Sequence, residues 1–208
     1  MHVLITAGPT REYLDDVRFL SNASSGRMGY ALADAALRRG WRVTLVSGPV
    51  SLAPPIGADV VSVVSAQDML EACLRSLSQV DGVIAVAAVA DYRPHSRIAG
   101  KFHRTSDPLH VELVPNPDIL AELGRRKTRQ WTVGFAVESD ELVNRARAKL
   151  AAKNCDAIVA NHASAMESDE TSIQIIDAHG AVSDSFRGEK TAAAERIVHW
   201  IEQNLVTA

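Results

Sequence analysis

The sequence predicts a doubly wound α/β fold: a mostly parallel sheet with helices on both faces and an antiparallel hairpin added late in the chain. Three observations predict it. Short apolar runs alternate with segments of helical period from residue 2 to residue 160. One of those runs, GVIAVAAVA at 82–90, is apolar at every position after its glycine, as a strand covered on both faces should be. Residues 173–186 then alternate imperfectly around His179-Gly180, which suits an added antiparallel edge better than another βα unit.

Taken in order, HVLITA at His2–Ala7 is an apolar strand stopped by Gly8-Pro9-Thr10, and a loop is expected to about residue 25. Residues 26–39 hold Met28, Leu32, Ala35, Ala36 and Leu37 at near-helical spacing, with Arg38 and Arg39 in the last turn and Gly40 as the stop. Strands follow at 43–46, closed by Gly48-Pro49, and at 60–64. Beyond Ser65, the residues Ala66, Met69, Leu70, Cys73, Leu74 and Leu77 fit the i, i+3, i+4, i+7 template, and Asp68 three after Ser65 reads as a capping box. The run at 82–90 is expected to end at Asp91. A strand at about 110–114, a helix opened by Asn116-Pro117-Asp118 and a strand at 132–136 come next. A helix at about 141–153 after Ser139, a strand at 157–160, the hairpin and a helix at about 191–204 complete the chain. No repeat, low-complexity tract or linker divides it, so one domain over 1–208 is expected.

Composition narrows the function classes. With 208 residues, 47% hydrophobic and 23% charged, the chain reads as an ordinary globular protein. A chain of this length buries roughly 70% of its unfolded surface and needs no staple. The two cysteines, Cys73 and Cys155, form no CxxC pair, which suggests a reducing compartment. No apolar run approaches ~18 residues and no basic-then-apolar leader precedes the first strand, so a cytoplasmic protein with no membrane partner is expected. A net charge of -3 gives no global attraction to nucleic acid, and an anionic ligand must be held locally.

Ligands of such folds bind outside the carboxyl ends of the strands, which singles out four stretches. Asn22-Ala23-Ser24-Ser25-Gly26-Arg27-Met28-Gly29 opens the first helix with small and hydroxyl residues, leaving main-chain N–H groups able to meet an anion; a serine cap with a packing glycine is the structural alternative. The spacing is neither GxGxxG nor GxxxxGK[ST]. Asp91, where the apolar run ends, suits contact with a nucleotide hydroxyl or amine, or a metal ion, or else caps the loop. Gly100-Lys101-Phe102-His103-Arg104 places a lysine on a loop able to close over phosphates, or is solvated surface. Arg145, Lys149 and Lys153 recur every four residues as one basic stripe, whose structural alternative is a solvated face. The seven histidines show no ligand spacing, so no transition-metal site is assigned, and both cysteines read as buried thiols.

The stretches ITAGPTRE (5–12), VRFLSNASSGRMG (17–29), TLVSGPVSL (44–52), AAVADYRP (87–94), NPDIL (116–120), GFAVES (134–139) and AKNCDAIVAN (152–161) resemble, in order and across most of the chain, those of phosphopantothenoylcysteine synthetases. In many bacteria that ligase of coenzyme A biosynthesis is one half of a bifunctional flavoprotein. The resemblance implies a Rossmann-like fold and a two-step reaction. The carboxylate of 4′-phosphopantothenate is first activated by a nucleoside triphosphate, and L-cysteine then displaces the nucleotide. Bacterial members generally use CTP, with Mg²⁺, for which no ligands are assigned. By matching motifs, Ala85, Val86, Ala87, Asp91, Lys101, Pro117, Asp118, Ile119, Leu120, Phe135, Lys149 and Lys153 fall on the nucleotide site. Asn22 falls on the asparagine that handles the acyl-nucleotide, its amide being a suitable oxyanion donor. Arg18, Ser24, Ser25, Gly26 and Ala88 are expected at the acid substrate, and Asn22 and Lys101 in catalytic roles. The resemblance also implies a homodimer, in which the 11–21 loop carrying Arg18 reaches the neighbouring site, and a decarboxylase flavoprotein as fused or separate partner. One departure is visible: the usual Lys-x-Lys-Lys flap is here Lys101-Phe102-His103-Arg104.

Two other classes share the fold. A short-chain-type NAD(P) oxidoreductase needs a Tyr-x-x-x-Lys pair, but Val17, Asp34 and Ser96 stand four after Tyr13, Tyr30 and Tyr92. A non-catalytic nucleotide-binding regulator is the harder alternative to exclude, and the presence of both Asn22 and Lys101 argues against it.

Overall fold

The computed structural model describes residues 1–104, 106–138, 142–162 and 170–206. In chain order the elements are β1 (His2–Ala7), β2 (Arg11–Tyr13), β3 (Phe19–Ser21), α1 (Arg27–Arg38), β4 (Arg42–Ser47), β5 (Asp59–Ser62) and α2 (Ala66–Leu77). They continue with β6 (Gly82–Ala85), β7 (Tyr92–Pro94), β8 (Leu113–Pro115), α3 (Ile119–Arg126), β9 (Trp131–Glu138) and α4 (Leu142–Ala152), and end with β10 (Ala157–His162), β11 (Glu170–Asp177), β12 (Val182–Glu189) and α5 (Lys190–Asn204).

Eight strands form the main sheet in the order β12-β11-β10-β9-β6-β1-β4-β5. All pairs from β10 to β5 are parallel, and β11 and β12 are antiparallel additions at one edge, as the imperfect alternation of 173–186 suggests. Period-two patterning divides the core. Val3, Ile5 and Ala7 face α1 and α5, packing with Leu32, Ala36 and Ile197. Leu4 faces the other way, onto Met69, Cys73 and Leu123 of α2 and α3. Ile158 and Ile176 meet Ala146 and Leu150 of α4.

Local signals are realised where local chemistry decides them. Ser65 accepts from the Asp68 N–H at 3.1 Å while Asp68 accepts from the Ser65 N–H at 2.9 Å, the reciprocal capping box. Asp177 Oδ1 accepts from the N–H groups of His179 and Ala181, which closes the β11–β12 turn. The helix placed at 141–153 is observed as α4, and Ser139 and Glu141 lie outside the described residues.

Three expectations need correction. The run at 82–90 is not one strand: β6 stops at Ala85, and residues 85–89 are half-buried rather than covered on both faces. The Thr6 hydroxyl takes the N–H groups of Val86 and Ala87, each at 3.2 Å, and that of Thr10 takes Ala90 at 3.0 Å. Side chains thus replace the strand ladder. The expected loop from 8 to 25 contains the β2–β3 hairpin. The strand placed at 110–114 is β8, which pairs with β7 in a separate two-stranded sheet.

Candidate active site

β1 is flanked by β4 on one side and β6 on the other, so the strand order reverses there and a crevice opens beyond the carboxyl ends. Its floor is the 86–90 segment. Thr6 and Thr10, 2% and 0% exposed, hold that segment from beneath, and Ala88 adds an N–H bond to the Gly8 carbonyl at 2.9 Å. An unpaired buried main-chain N–H would cost about 1–3 kcal/mol, so the two hydroxyls keep this irregular stretch in place.

The crevice has two compartments of about 240 and 330 Å³ that share Ala87, Val89, Asp91, Phe135 and Lys149. Into the first project, of the expected nucleotide residues, Ala85, Pro117, Asp118, Ile119 and Leu120. Asn116 anchors this wall: its Nδ2 donates to the Ala90 carbonyl at 2.7 Å and its main-chain N–H to the Asp91 carbonyl at 2.8 Å. Asp118 caps α3 by accepting from the Ala121 N–H at 2.9 Å, and pairs with Lys153. Burial pushes the Asp118 carboxyl up, but the bonds from Lys153 and Ala121 outweigh it and the net shift is downward. Lys149 Nζ donates to the Phe135 carbonyl at 2.6 Å, holding a cation beside the shared wall.

Around the second compartment stand Asn22, Ser24, Ser25, Gly26, Val86 and Ala88. Gly26 is the N-cap of α1 at φ 76°, a conformation open to glycine, and it has no side chain to satisfy the first turn. The opening turn, Arg27 to Gly29, therefore presents to the cleft the end of a helix that attracts anions. Gly29 lets α1 sit close on β1, since a Cβ there would lie 2.5 Å from the Ala7 Cβ. Asn22 Nδ2 donates to the carbonyls of Ala88 at 3.1 Å and Val89 at 2.9 Å. The amide nitrogen is thereby engaged by two carbonyls, so that, contrary to the oxyanion-donor role expected from sequence, the oxygen Oδ1 is the atom left to meet a ligand.

Three expected site residues line neither compartment: Arg18, Lys101 and Lys153. Lys101 is exposed, and Arg18 pairs with Asp15. Five polar lining residues were not assigned to the site by sequence: Thr6, Arg27, Asn116, Asn161 and Lys190. Thr6, Arg27, Asn116 and Asn161 fall inside the quoted motifs. Lys190, 8% exposed, carried its own signal, because a cation at the first position of a helix opposes the dipole.

The thiols take no part. Burial pushes Cys73 up to about 12 and Cys155 up to about 11, so neither is a thiolate near neutrality. Among the described residues no group of three or more His, Cys, Asp or Glu could hold a metal ion, and no helix is long and apolar enough to cross a membrane. Mg²⁺, however, commonly takes one or two carboxylates and leaves its other positions to water and substrate phosphates. Asp91, exposed in the wall shared by both compartments, fits that mode.

Residues 1–205 match the family described as DNA/pantothenate metabolism flavoprotein C-terminal domain. The coenzyme A biosynthesis bifunctional protein CoaBC of Haemophilus influenzae is 41% identical over 207 residues, which is 98% of this chain and 52% of that protein. The chain thus spans about half the length of this curated relative. The crystal structure of the C-terminal domain of a coenzyme A biosynthesis bifunctional protein CoaBC superposes with TM-score 0.82 at 40% identity, covering 98% of this chain and 95% of that one. A Cab2 mutant in complex with phosphopantothenate-cysteine shares the fold, with TM-score 0.80 at 21% identity over 97% of this chain and 85% of that one.

Proposed function

Because this chain belongs to the DNA/pantothenate metabolism flavoprotein C-terminal domain family, we propose that it is a phosphopantothenate–cysteine ligase that uses CTP and acts in coenzyme A biosynthesis. The observation that carries the reading is the shared wall of the crevice. One compartment suits a nucleotide, the other an acid bearing its own anion, and Asp91, Phe135 and Lys149 stand where the two would meet.

In the first step a carboxylate oxygen of 4′-phosphopantothenate attacks the α-phosphorus of CTP, the bond to the β-phosphate oxygen breaks, and pyrophosphate leaves. Two anions must approach, so cations are needed at their junction. Lys149 stands there, Lys153 is held near it through Asp118, and Lys101 is to be brought over the phosphates by its segment. Asp91 would hold Mg²⁺ together with the phosphates, and the ion supplies further screening of like charge. The apolar face of Phe135 and the main chain of 117–120 suit a small pyrimidine.

In the second step the cysteine amine attacks the acyl carbon, the carbon–oxygen bond to CMP breaks, and the amine loses a proton. With both N–H bonds of Asn22 committed to carbonyls, its Oδ1 suits acceptance of a hydrogen bond from the incoming amine, holding its lone pair toward the carbonyl. The opening turn of α1, with Ser24 and Ser25, suits an anionic part of the acid substrate.

A homodimer belongs to the same proposal. Val17, Phe19, Tyr92 and Leu113, all exposed apolar residues, lie on the two neighbouring small hairpins, a surface suited to burial against a second copy. The proposal also includes a decarboxylase flavoprotein as fused or separate partner and a cytoplasmic setting, as the sequence resemblance implies. Mixing the protein with 4′-phosphopantothenate and CTP, without cysteine, should release pyrophosphate; no release above the no-acid control would overturn the proposal.

A further inference from the structure

The segment bearing Lys101 is not loose from the rest of the fold. Asp15, in the turn between β2 and β3, is fully shielded from solvent and accepts four hydrogen bonds. Its Oδ1 takes the N–H groups of Val17 at 2.7 Å and Arg18 at 2.6 Å. Its Oδ2 takes Arg18 Nη1 at 2.6 Å and, 87 residues away in sequence, the Phe102 N–H at 3.3 Å. Arg18 closes the arrangement: the same Nη1 donates to the Phe102 carbonyl at 3.1 Å, and its guanidinium lies 3.9 Å from the Phe102 ring centroid.

A second set of contacts runs alongside. Asp16 exchanges main-chain and side-chain bonds with Gly100 and pairs with Arg97 at 2.7 Å, while Ile98 donates to the Leu14 carbonyl at 2.9 Å. The Asp16 side chain is 53% exposed, so its ion pair contributes little, whereas the bonds to the dry Asp15 carboxylate are of the charge-assisted kind that resists competition from water. Asp15 is therefore the member whose change would be felt.

We propose that Asp15 is a positioning residue for Lys101: through Arg18 and the main chain of Phe102 it fixes the root of the lysine's segment and so directs the ammonium toward the triphosphate. Arg18, on this view, acts as the strap of that arrangement. The proposal rests on the reading of Lys101 as a first-step residue.

The test uses Asp15→Asn, which keeps the shape and one oxygen but turns a donor toward the N–H of Phe102 and the guanidinium of Arg18. Without substrates, trypsin should cut the Lys101–Phe102 bond at least tenfold faster than in the wild type, with cleavage elsewhere unchanged. Pyrophosphate release should fall about tenfold, while cysteine capture from preformed acyl-nucleotide stays at the wild-type rate. A merely structural role would slow both half-reactions alike. Should Asp15→Asn not fold, Phe102→Leu removes the stacked ring but keeps the main-chain N–H, and the same pattern is expected. Wild-type cleavage at Lys101 in the folded variant, or equal loss in both half-reactions, overturns the proposal. Lys101→Gln separates the two ideas: unchanged pyrophosphate release in it overturns the reading of the lysine, whatever proteolysis shows of the strap.

Discussion

Asn22 Nδ2 lies 2.9 Å from the carbonyl oxygen of Val89, and this bond together with its partner to Ala88 sets which end of the amide faces the cleft. Replacing that nitrogen by a carboxylate oxygen, as in Asn22→Asp, sets a negative oxygen against two carbonyls in place of two donated bonds. The side chain should swing away from the loop and lose its hold on the amine. Rapid-quench analysis is expected to show acyl-cytidylate accumulating, with cysteine capture slowed roughly 10²-fold by loss of orientation. Capture at the normal rate would remove Asn22 from the second step.

The floor of the crevice depends on Thr6, whose single hydroxyl oxygen accepts from two main-chain N–H groups. Thr6→Val preserves shape and removes that acceptor, so denaturant unfolding should show a loss of about 1–3 kcal/mol. The KM for the nucleotide should rise with it, because Ala85 and Ala87 line the compartment proposed for the nucleotide. Thr6→Ser should retain most of both, and a Thr6→Val protein as stable as the wild type would contradict the account of the broken strand.

Thr6 also explains what could be read in advance. The capping box of Ser65 and Asp68, the hairpin turn at Asp177 and the packing of Leu32 and Ile158 depend on neighbours in sequence or on periodicity, and are legible in one dimension. The end of β6 at Ala85 is not, because the competing acceptors at Thr6 and Thr10 are some eighty residues away. The same holds for the site. Asp91, beyond the end of β6, and Phe135, within β9, both line the crevice, while Arg18 is drawn to Asp15 and Phe102 by a contact that no spacing announces.

The Asp15 carboxyl offers a check by pH. Loss of water contact pushes it up, but the N–H groups of Arg18, Val17 and Phe102 and the Arg18 guanidinium prevail, bringing it from 3.8 to about 2. Since the folded value is depressed, the stabilisation is fully present above the ordinary value and is lost as pH falls toward and through about 2. Carboxyl-carbon NMR should show Asp15 titrating well below the exposed carboxylates; a midpoint near 4 would contradict the burial and bonding described.

The proposed preference for CTP can be tested directly. Pro117, Ile119, Leu120 and Phe135 form the apolar side of a compartment of about 240 Å³, and the proposal places a pyrimidine against it. The expected kcat/KM is higher for CTP than for ATP, by roughly tenfold or more if discrimination exceeds about 1.4 kcal/mol. Equal or inverted values would reassign the nucleotide.

The central claim is that a carboxylate oxygen attacks the α-phosphorus and that the resulting acyl–oxygen bond is the one cysteine breaks. Isotope transfer reads this directly. With ¹⁸O in both carboxylate oxygens of 4′-phosphopantothenate, one complete turnover with CTP and L-cysteine should leave one ¹⁸O in CMP, one in the amide product and none in pyrophosphate. Label recovered in orthophosphate or pyrophosphate, or CMP free of label despite amide formation, would contradict the account.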